Sequence, residues 1–364
     1  MRIVSDAPNH EDVPSGPPAR HGLRRRLLVA VAGMLLAAVL SETAVRLLRC
    51  GPPVYEPRRF EPRGGVPFTT LPGGILAYQP NTVFCSVYDP AGDSRGYLGP
   101  TGRIEYRINR LGLRGPDPPP AKPPNTLRVI CLGDSFTFGE GVREEDTWPA
   151  RLQAALIDSG RHGGVEVINA GVQGHGTKES VALYVAHLRS LRPDVVLLGF
   201  VLNDAVPFAE TIRLNEAATR RPTLSWAARV SRLWEIIERG QIAAEQERQF
   251  ADSLRRSFDS EAWRDARELL GGMKQLGDED GFRFVVLVFP VLIELNPDYP
   301  FADLHARVAE ACHAAGVEYL DLFEVFRGQR GPELWVHPTD QHPNEVAHRL
   351  AAKAVAERLL ADRR

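Results

Sequence analysis

From residue 127 onward, short and mostly apolar runs alternate with longer stretches whose apolar residues recur every three or four positions. The run at 127–133 predicts a buried strand of a parallel sheet, and the runs at 165–169, 194–202, 282–289 and 317–321 predict further strands. Between them the spacing predicts helices at 144–159, where Trp148, Leu152, Ala155 and Leu156 share a face, at 178–191 and at 302–315. An amphipathic helix over 345–360 closes the chain, and Pro343 just before it suits a helix start. Such alternation predicts an α/β fold around a parallel sheet. Residues 205–260 interrupt it. There Trp226, Val230, Leu233, Trp234, Ile236 and Ile237 fall near helical spacing and predict a helical insertion. It is expected to pack on the domain, with a lid or a membrane-surface helix as the competing roles.

Upstream the pattern changes. Residues 1–23 hold few apolar positions and read as a disordered tail. Arg24, Arg25 and Arg26 then precede an uncharged run over 27–40, only about 21 Å of helix against a hydrocarbon core of about 30 Å. Extension to Leu48 reaches about 33 Å but takes in Glu42 and Arg46. Residues 24–48 are therefore expected to be a signal anchor or a signal peptide. The anchor is favoured because no small-residue cleavage site follows Leu40. Either way the arginine cluster stays on the cytoplasmic side and the remainder is exported, to the periplasm or the exterior. Residues 49–75, rich in Pro, Gly and Arg, read as a tether; 76–124 as an accessory β segment with a proline-rich linker; 125–364 as the main domain.

Composition narrows the functions. A net charge of -2 gives no sign of a nucleic-acid partner. Four scattered cysteines lack C-x-x-C spacing, which argues against a zinc cluster, although a Cys50–Cys85 bridge is compatible with an exported chain. His337, His342 and His348 are five and six residues apart and match no common ligand pattern. No metal and no cofactor are expected, and His348 reads as a surface residue or as support for a site.

Polar residues gather where the strands end. Gly133-Asp134-Ser135 leaves the first strand, Asn169, Gly171 and Gly174 follow the second, Asn203-Asp204 the third, and Asp340 and His342 precede the last helix. In open α/β folds ligands bind at that edge of the sheet. The set suits acyl transfer: Ser135 attacks, His342 takes its proton, and Asp340 orients and stabilises the imidazole. The main-chain N–H groups of Ser135 and Gly171 and the Asn203 amide are suitable donors to an oxyanion. Asp204 reads as a cap of the following turn. A second match, 92–96, has the G-x-S-x-G form around Ser94 but lacks the strand before it and the helix after it; it reads as a surface loop.

These four blocks, in this order over about 127–361, resemble the SGNH or GDSL-type hydrolases. The resemblance implies a three-layer α/β/α sandwich on a flavodoxin-like, mostly parallel five-stranded sheet, and ester hydrolysis without metal. It makes Ser135 the nucleophile, His342 the base and Asp340 the third triad member, with Ser135, Gly171 and Asn203 in the oxyanion hole. Two positions depart from the pattern. Val201 stands where G-x-N-D has glycine, and Thr339 where D-x-x-H has aspartate. The remaining Asp340-x-His342 resembles the shorter form of SGNH-type sugar O-acetyltransferases and some esterases. The expected function is hydrolysis of acetyl or short acyl esters on a carbohydrate or cell-envelope substrate. A glycan O-acetyltransferase and a non-catalytic, membrane-anchored binding protein are the alternatives.

Overall fold

The computed structural model describes residues 20–51, 53–63, 67–206 and 223–361. The expected tail up to residue 19, and residues 207–222 of the expected insertion, lie outside the described residues. The chain divides into two compact units, Met1–Pro53 with Pro222–Ala243, and Val54–Arg221 with Ala244–Arg364.

In the first unit, helix α1 (Arg20–Leu47) carries the apolar run. Its stretch Arg24–Leu47 is long and apolar enough to cross a membrane, and none of it is buried. The insertion contributes the short helix Trp226–Val230 and the start of the long helix Arg232–Ser257. Glu42, the acidic residue inside the apolar run, caps that long helix. Its carboxylate accepts from Arg232 N at 2.7 Å, Leu233 N at 3.0 Å and Ser231 Oγ at 2.8 Å. A carboxylate there satisfies first-turn amides that have no intrahelical partner and meets the positive end of the helix dipole.

The second unit is built on five parallel strands. In chain order they are β6 (Thr126–Gly133), β7 (Gly164–Gly171), β8 (Val195–Val201), β9 (Arg283–Phe289) and β10 (Glu318–Asp321), following five accessory strands. The spatial order β10-β9-β8-β6-β7 is flavodoxin-like, with β6 between β7 and β8 and the chain winding first one way and then the other. β8 is buried at every residue, as its unbroken apolar run requires. Helices Trp148–Asp158 and Glu345–Ala361 and helices Glu261–Asp280 and Ala302–Ala314 accompany the sheet in an α/β sandwich. The helix expected over 178–191 is helical but irregular: Thr177–Leu183 is α, Tyr184–Leu188 widens into a π turn, and Arg189–Leu191 tightens into a 3-10 turn.

The accessory strands are β1 (Arg59–Arg63), β2 (Phe68–Leu71), β3 (Ile75–Tyr78), β4 (Val83–Val87) and β5 (Arg103–Arg107). β1-β4-β5 form an antiparallel sheet and β2-β3 a hairpin. The expected tether is thus corrected, since three of these strands begin within 49–75. Pro62 hides β1 from a reading by propensity, but β1 is an edge strand paired only with β4, where proline is tolerated. The accessory rings Tyr78, Phe84 and Tyr106 pack around Phe138 of the main domain, with centroids 5.0, 6.2 and 5.1 Å away. All four cysteines are free.

Candidate active site

Ser135 owes its position to the turn that ends β6. Gly133 has φ +144°, and a Cβ there would lie 2.4 Å from Thr137 Oγ1 and 2.7 Å from Gly199 O. Only glycine lets the chain turn so close to β8. Asp134 then caps the four-residue helix Ser135–Phe138, accepting from Phe136 N at 2.8 Å. Gly139 closes that helix in the left-handed region. Ser135 is left half-buried at the carboxyl end of β6, a strand flanked by β7 and β8.

His342 and Asp340 reach this edge on β12 (Asp340–Pro343), which pairs antiparallel with β11 (Trp335–His337). His342 Nε2 lies 2.8 Å from Ser135 Oγ, and His342 Nδ1 hydrogen-bonds Asp340 Oδ1. Burial pushes the imidazole pKa down, but the charge and hydrogen bond of Asp340 outweigh it and raise the net value. Burial also opposes ionisation of Asp340; His342 and Arg58 overcome it and hold the carboxyl well below the usual range. With Asp340 ionised, Nδ1 carries the imidazole proton and Nε2 is free to accept from the serine hydroxyl.

The second oxygen of Asp340 is held from the accessory segment. Tyr88 Oη donates to Asp340 Oδ2 at 3.0 Å, and Arg58 reaches the same oxygen at 3.3 Å. Arg58 also pairs with the buried Glu140 at 3.0 Å, whose Oε1 accepts from Ser86 Oγ at 2.7 Å and Tyr106 Oη at 2.8 Å. Arg114, fully buried, donates to the carbonyls of Phe138 and Gly139 at 2.7 and 2.6 Å and of Val142 at 2.6 Å, tying down the turn behind Ser135. The sequence reading missed Arg58, Tyr88, Glu140 and Arg114. They belong to no motif, and their partners lie up to 282 positions away. For the upstream residues the one available signal was tyrosine, since five of the eight in the chain fall between 55 and 106, within the segments read as a tether and an accessory β segment.

Of the expected oxyanion donors, Ser135 N has no acceptor among the described residues, and the Asn203 amide lies where it favours the ionised form of Asp134. Gly171, the third expected donor, is engaged within its own strand end. Its N–H donates to Asn169 Oδ1 at 3.1 Å, and a Cβ on it would come 2.2 Å from Phe138 N. Its small size serves packing of β7 against the serine helix rather than approach of substrate. Gly174 stands three residues on, half-buried, with φ +81° and an N–H that has no acceptor among the described residues. Asp204 does not cap the turn after it but reaches back, accepting from Thr177 Oγ1 at 3.0 Å and Val201 N at 3.4 Å. Burial raises both buried carboxyls behind the edge, Asp134 to about 6 and Asp204 well above its ordinary value, where the charge of Asp134 adds to it.

His348 is not at the surface. It is buried, its Nδ1 accepts from Trp148 N at 3.0 Å, and burial takes its pKa down to about 3. Ser94 lies on an exposed turn, as expected of the second motif.

A family model described as the GDSL-like Lipase/Acylhydrolase family matches residues 131–350, more than half of the chain. The chain belongs to this family. The GDSL family match covers Ser135, Gly171, Gly174, Asn203, Asp340 and His342, whereas Arg58, Tyr88 and Arg114 lie upstream of it. An arylesterase of Vibrio mimicus is 33% identical over 79 residues, 22% of this chain and 38% of that protein, so the match spans well under half of the relative. Similar solved structures include a putative lipolytic protein of the G-D-S-L family from Desulfitobacterium hafniense, 13% identical, with TM-score 0.39, 63% of this chain and 98% of that one covered. An acetyl xylan esterase is 18% identical with TM-score 0.41, covering 64% and 100%. This is a GDSL-type esterase family with a parallel α/β sheet.

Proposed function

We propose that this GDSL-family protein is a serine esterase that removes acetyl or short acyl groups from carbohydrate or cell-envelope esters, held by α1 on the outer side of a membrane. The observation that carries the chemistry is the unbroken relay Ser135–His342–Asp340, with 2.8 Å between Oγ and Nε2. In this reading Ser135 Oγ attacks the ester carbonyl while Nε2 takes its proton. The tetrahedral oxyanion accepts hydrogen bonds from Ser135 N, Gly174 N and the Asn203 amide. His342 then returns the proton to the leaving alcohol, the C–O bond breaks, and Ser135 carries the acyl group. Water, deprotonated by the same imidazole, releases the acid. Asp340 stays ionised throughout because His342, Arg58 and Tyr88 all favour its anion. Arg58 and Tyr88 act through Asp340 and are positioning residues. The substrate class follows from an exported location, where glycan and envelope esters are met, and from the family chemistry.

Fluorophosphonate labelling tests the assignment. The wild-type chain is expected to label and Ser135→Ala to label not at all; label persisting in that variant would remove Ser135 as the nucleophile. Turnover of p-nitrophenyl acetate is expected to exceed that of long-chain esters, and equal rates would count against a short acyl pocket. The Asp340-x-His342 spacing also keeps transfer in view. An acetyl donor that turns over only when a glycan hydroxyl is supplied would move the reading from hydrolysis to transfer.

A further inference from the structure

The first unit holds an apolar stripe that the catalytic reading does not use. Trp226 and Val230, four apart, share one side of the short helix, and Trp234 and Ile237, three apart, share one side of the long helix, with extended Ser231 between the two. They are 76%, 51%, 49% and 40% exposed. Two tryptophans and two aliphatic side chains lying open in a row are an unusual feature for a water-facing helix. The opposite side is not open in this way. Ala228 is buried, and Ile236 lies against Gly51 so closely that a Cβ there would be 2.8 Å from it.

The location of the stripe is set by Glu42. That residue stands 18 positions after Arg24, about 27 Å along α1, close to the far edge of a hydrocarbon core about 30 Å thick. There its carboxylate takes the first amides of the helix Arg232–Ser257 and the hydroxyl of Ser231. Arg46, one turn further, pairs with Glu42 at 2.6 Å and donates to Val230 O at 2.9 Å. The two charges that interrupt the apolar run are therefore occupied in holding the insertion at the end of the anchor. Tryptophan favours this depth, since its ring is apolar and its N–H is polar.

We infer that residues 226–237 form a second, interfacial membrane contact, docked to the anchor through Glu42 and presenting Trp226, Val230, Trp234 and Ile237 to the outer lipid headgroup region. The occupant is a phospholipid surface, and the inference rests on the reading of α1 as membrane-spanning. On the long helix Arg232, Glu235 and Arg239 gather away from Trp234 and Ile237, which suits a helix lying in that plane with its polar side toward water.

Tryptophan quenching in vesicles of phosphatidylcholine and phosphatidylglycerol tests this on the full chain. Trp148 and Trp263 are buried and Trp335 is half-buried, so contact with lipid is reported mainly by Trp226 and Trp234. Lipids brominated near the headgroup are expected to quench the wild-type chain more than lipids brominated near the chain ends. In Trp226→Phe/Trp234→Phe most of that quenching is lost, while flotation and turnover of a soluble ester are unchanged. Glu42→Ala is expected to float as before but to lose part of the quenching, because the helix start is released. A chain that floats without quenching would overturn the interfacial contact and leave the anchor standing, and a concentration-dependent dimer would then show that a second copy covers the stripe. A chain that does not float would overturn the anchor and the contact together. Unchanged quenching in Glu42→Ala would overturn the docking.

Discussion

His342 works only if its imidazole loses and regains a proton near neutrality, and its surroundings pull on that proton from opposite sides. Burial lowers its affinity, Asp340 raises it by more, and Arg58 subtracts from the gain. The base must be neutral to act, so kcat/KM should rise with pH along an acidic limb centred above the ordinary histidine value of about 6.5. Removing the Arg58 cation leaves Asp340 ionised but takes away a charge that disfavours imidazolium. Arg58→Met should therefore move the acidic limb to still higher pH, whereas Arg58→Lys should largely restore its position. Loss of one charge-assisted hydrogen bond to Asp340 is worth about 1.5–3 kcal/mol, which corresponds to a fall of about ten- to a hundredfold in kcat if it is felt in full. Tyr88→Phe should lower kcat in the same sense with little change in KM. A change confined to KM in either variant would place these residues in substrate binding instead. Steady-state pH profiles on p-nitrophenyl acetate make both measurements.

The serine helix is held by elements that approach it without room to spare. A methyl on Gly171 would strike the backbone at Phe138, 2.2 Å from its nitrogen, and backbone cannot step aside as a flexible side chain does. We expect Gly171→Ala to destabilise the domain by about 1–3 kcal/mol, the usual cost of overpacking, and to lower kcat because Ser135 shifts with its helix. Gly174 meets a different constraint, a positive φ beside the proposed oxyanion site. Gly174→Ala should cost less stability, about 1–2 kcal/mol for a left-handed residue with a side chain, yet at least as much activity. Thermal unfolding and turnover of the two variants separate packing from catalysis. Should Gly171→Ala unfold as the wild type does while losing all activity, the amide of Gly171 would have to be returned to the oxyanion hole.

At the scale of the whole molecule, the accessory strands and the sheet meet around the proposed relay. Arg58 and Tyr88 hold Asp340, Ser86 and Tyr106 hold Glu140, and the rings of Tyr78, Phe84 and Tyr106 enclose Phe138. A chain shortened to residues 125–364 would lose all of these and expose that aromatic cluster. It should be poorly soluble and at least about a hundredfold less active, since both supports of Asp340 are gone. A chain starting at residue 54 keeps the whole second unit and should retain turnover of a soluble ester. Equal activity of the two would show that the accessory strands are dispensable for the relay.

Much of this protein was determined locally and can be read from the chain. Short, mostly apolar runs bounded by turn residues marked the five strands, and the family resemblance implied how the sheet winds. Ser135, Asn203, Asp340 and His342 stand at element ends, in blocks whose order the family shares. Tertiary structure alone decided the rest. Whether Gly171 or Gly174 keeps a free N–H depends on where the Asn169 side chain turns, and spacing carries no trace of that. Arg58 joins Asp340 across 282 positions of chain, and Glu42 becomes a cap instead of a flaw in an apolar helix, because charges are stabilised by whatever the fold brings near them. Periodicity records which face of an element is covered, while ion pairs and free amides depend on what does the covering.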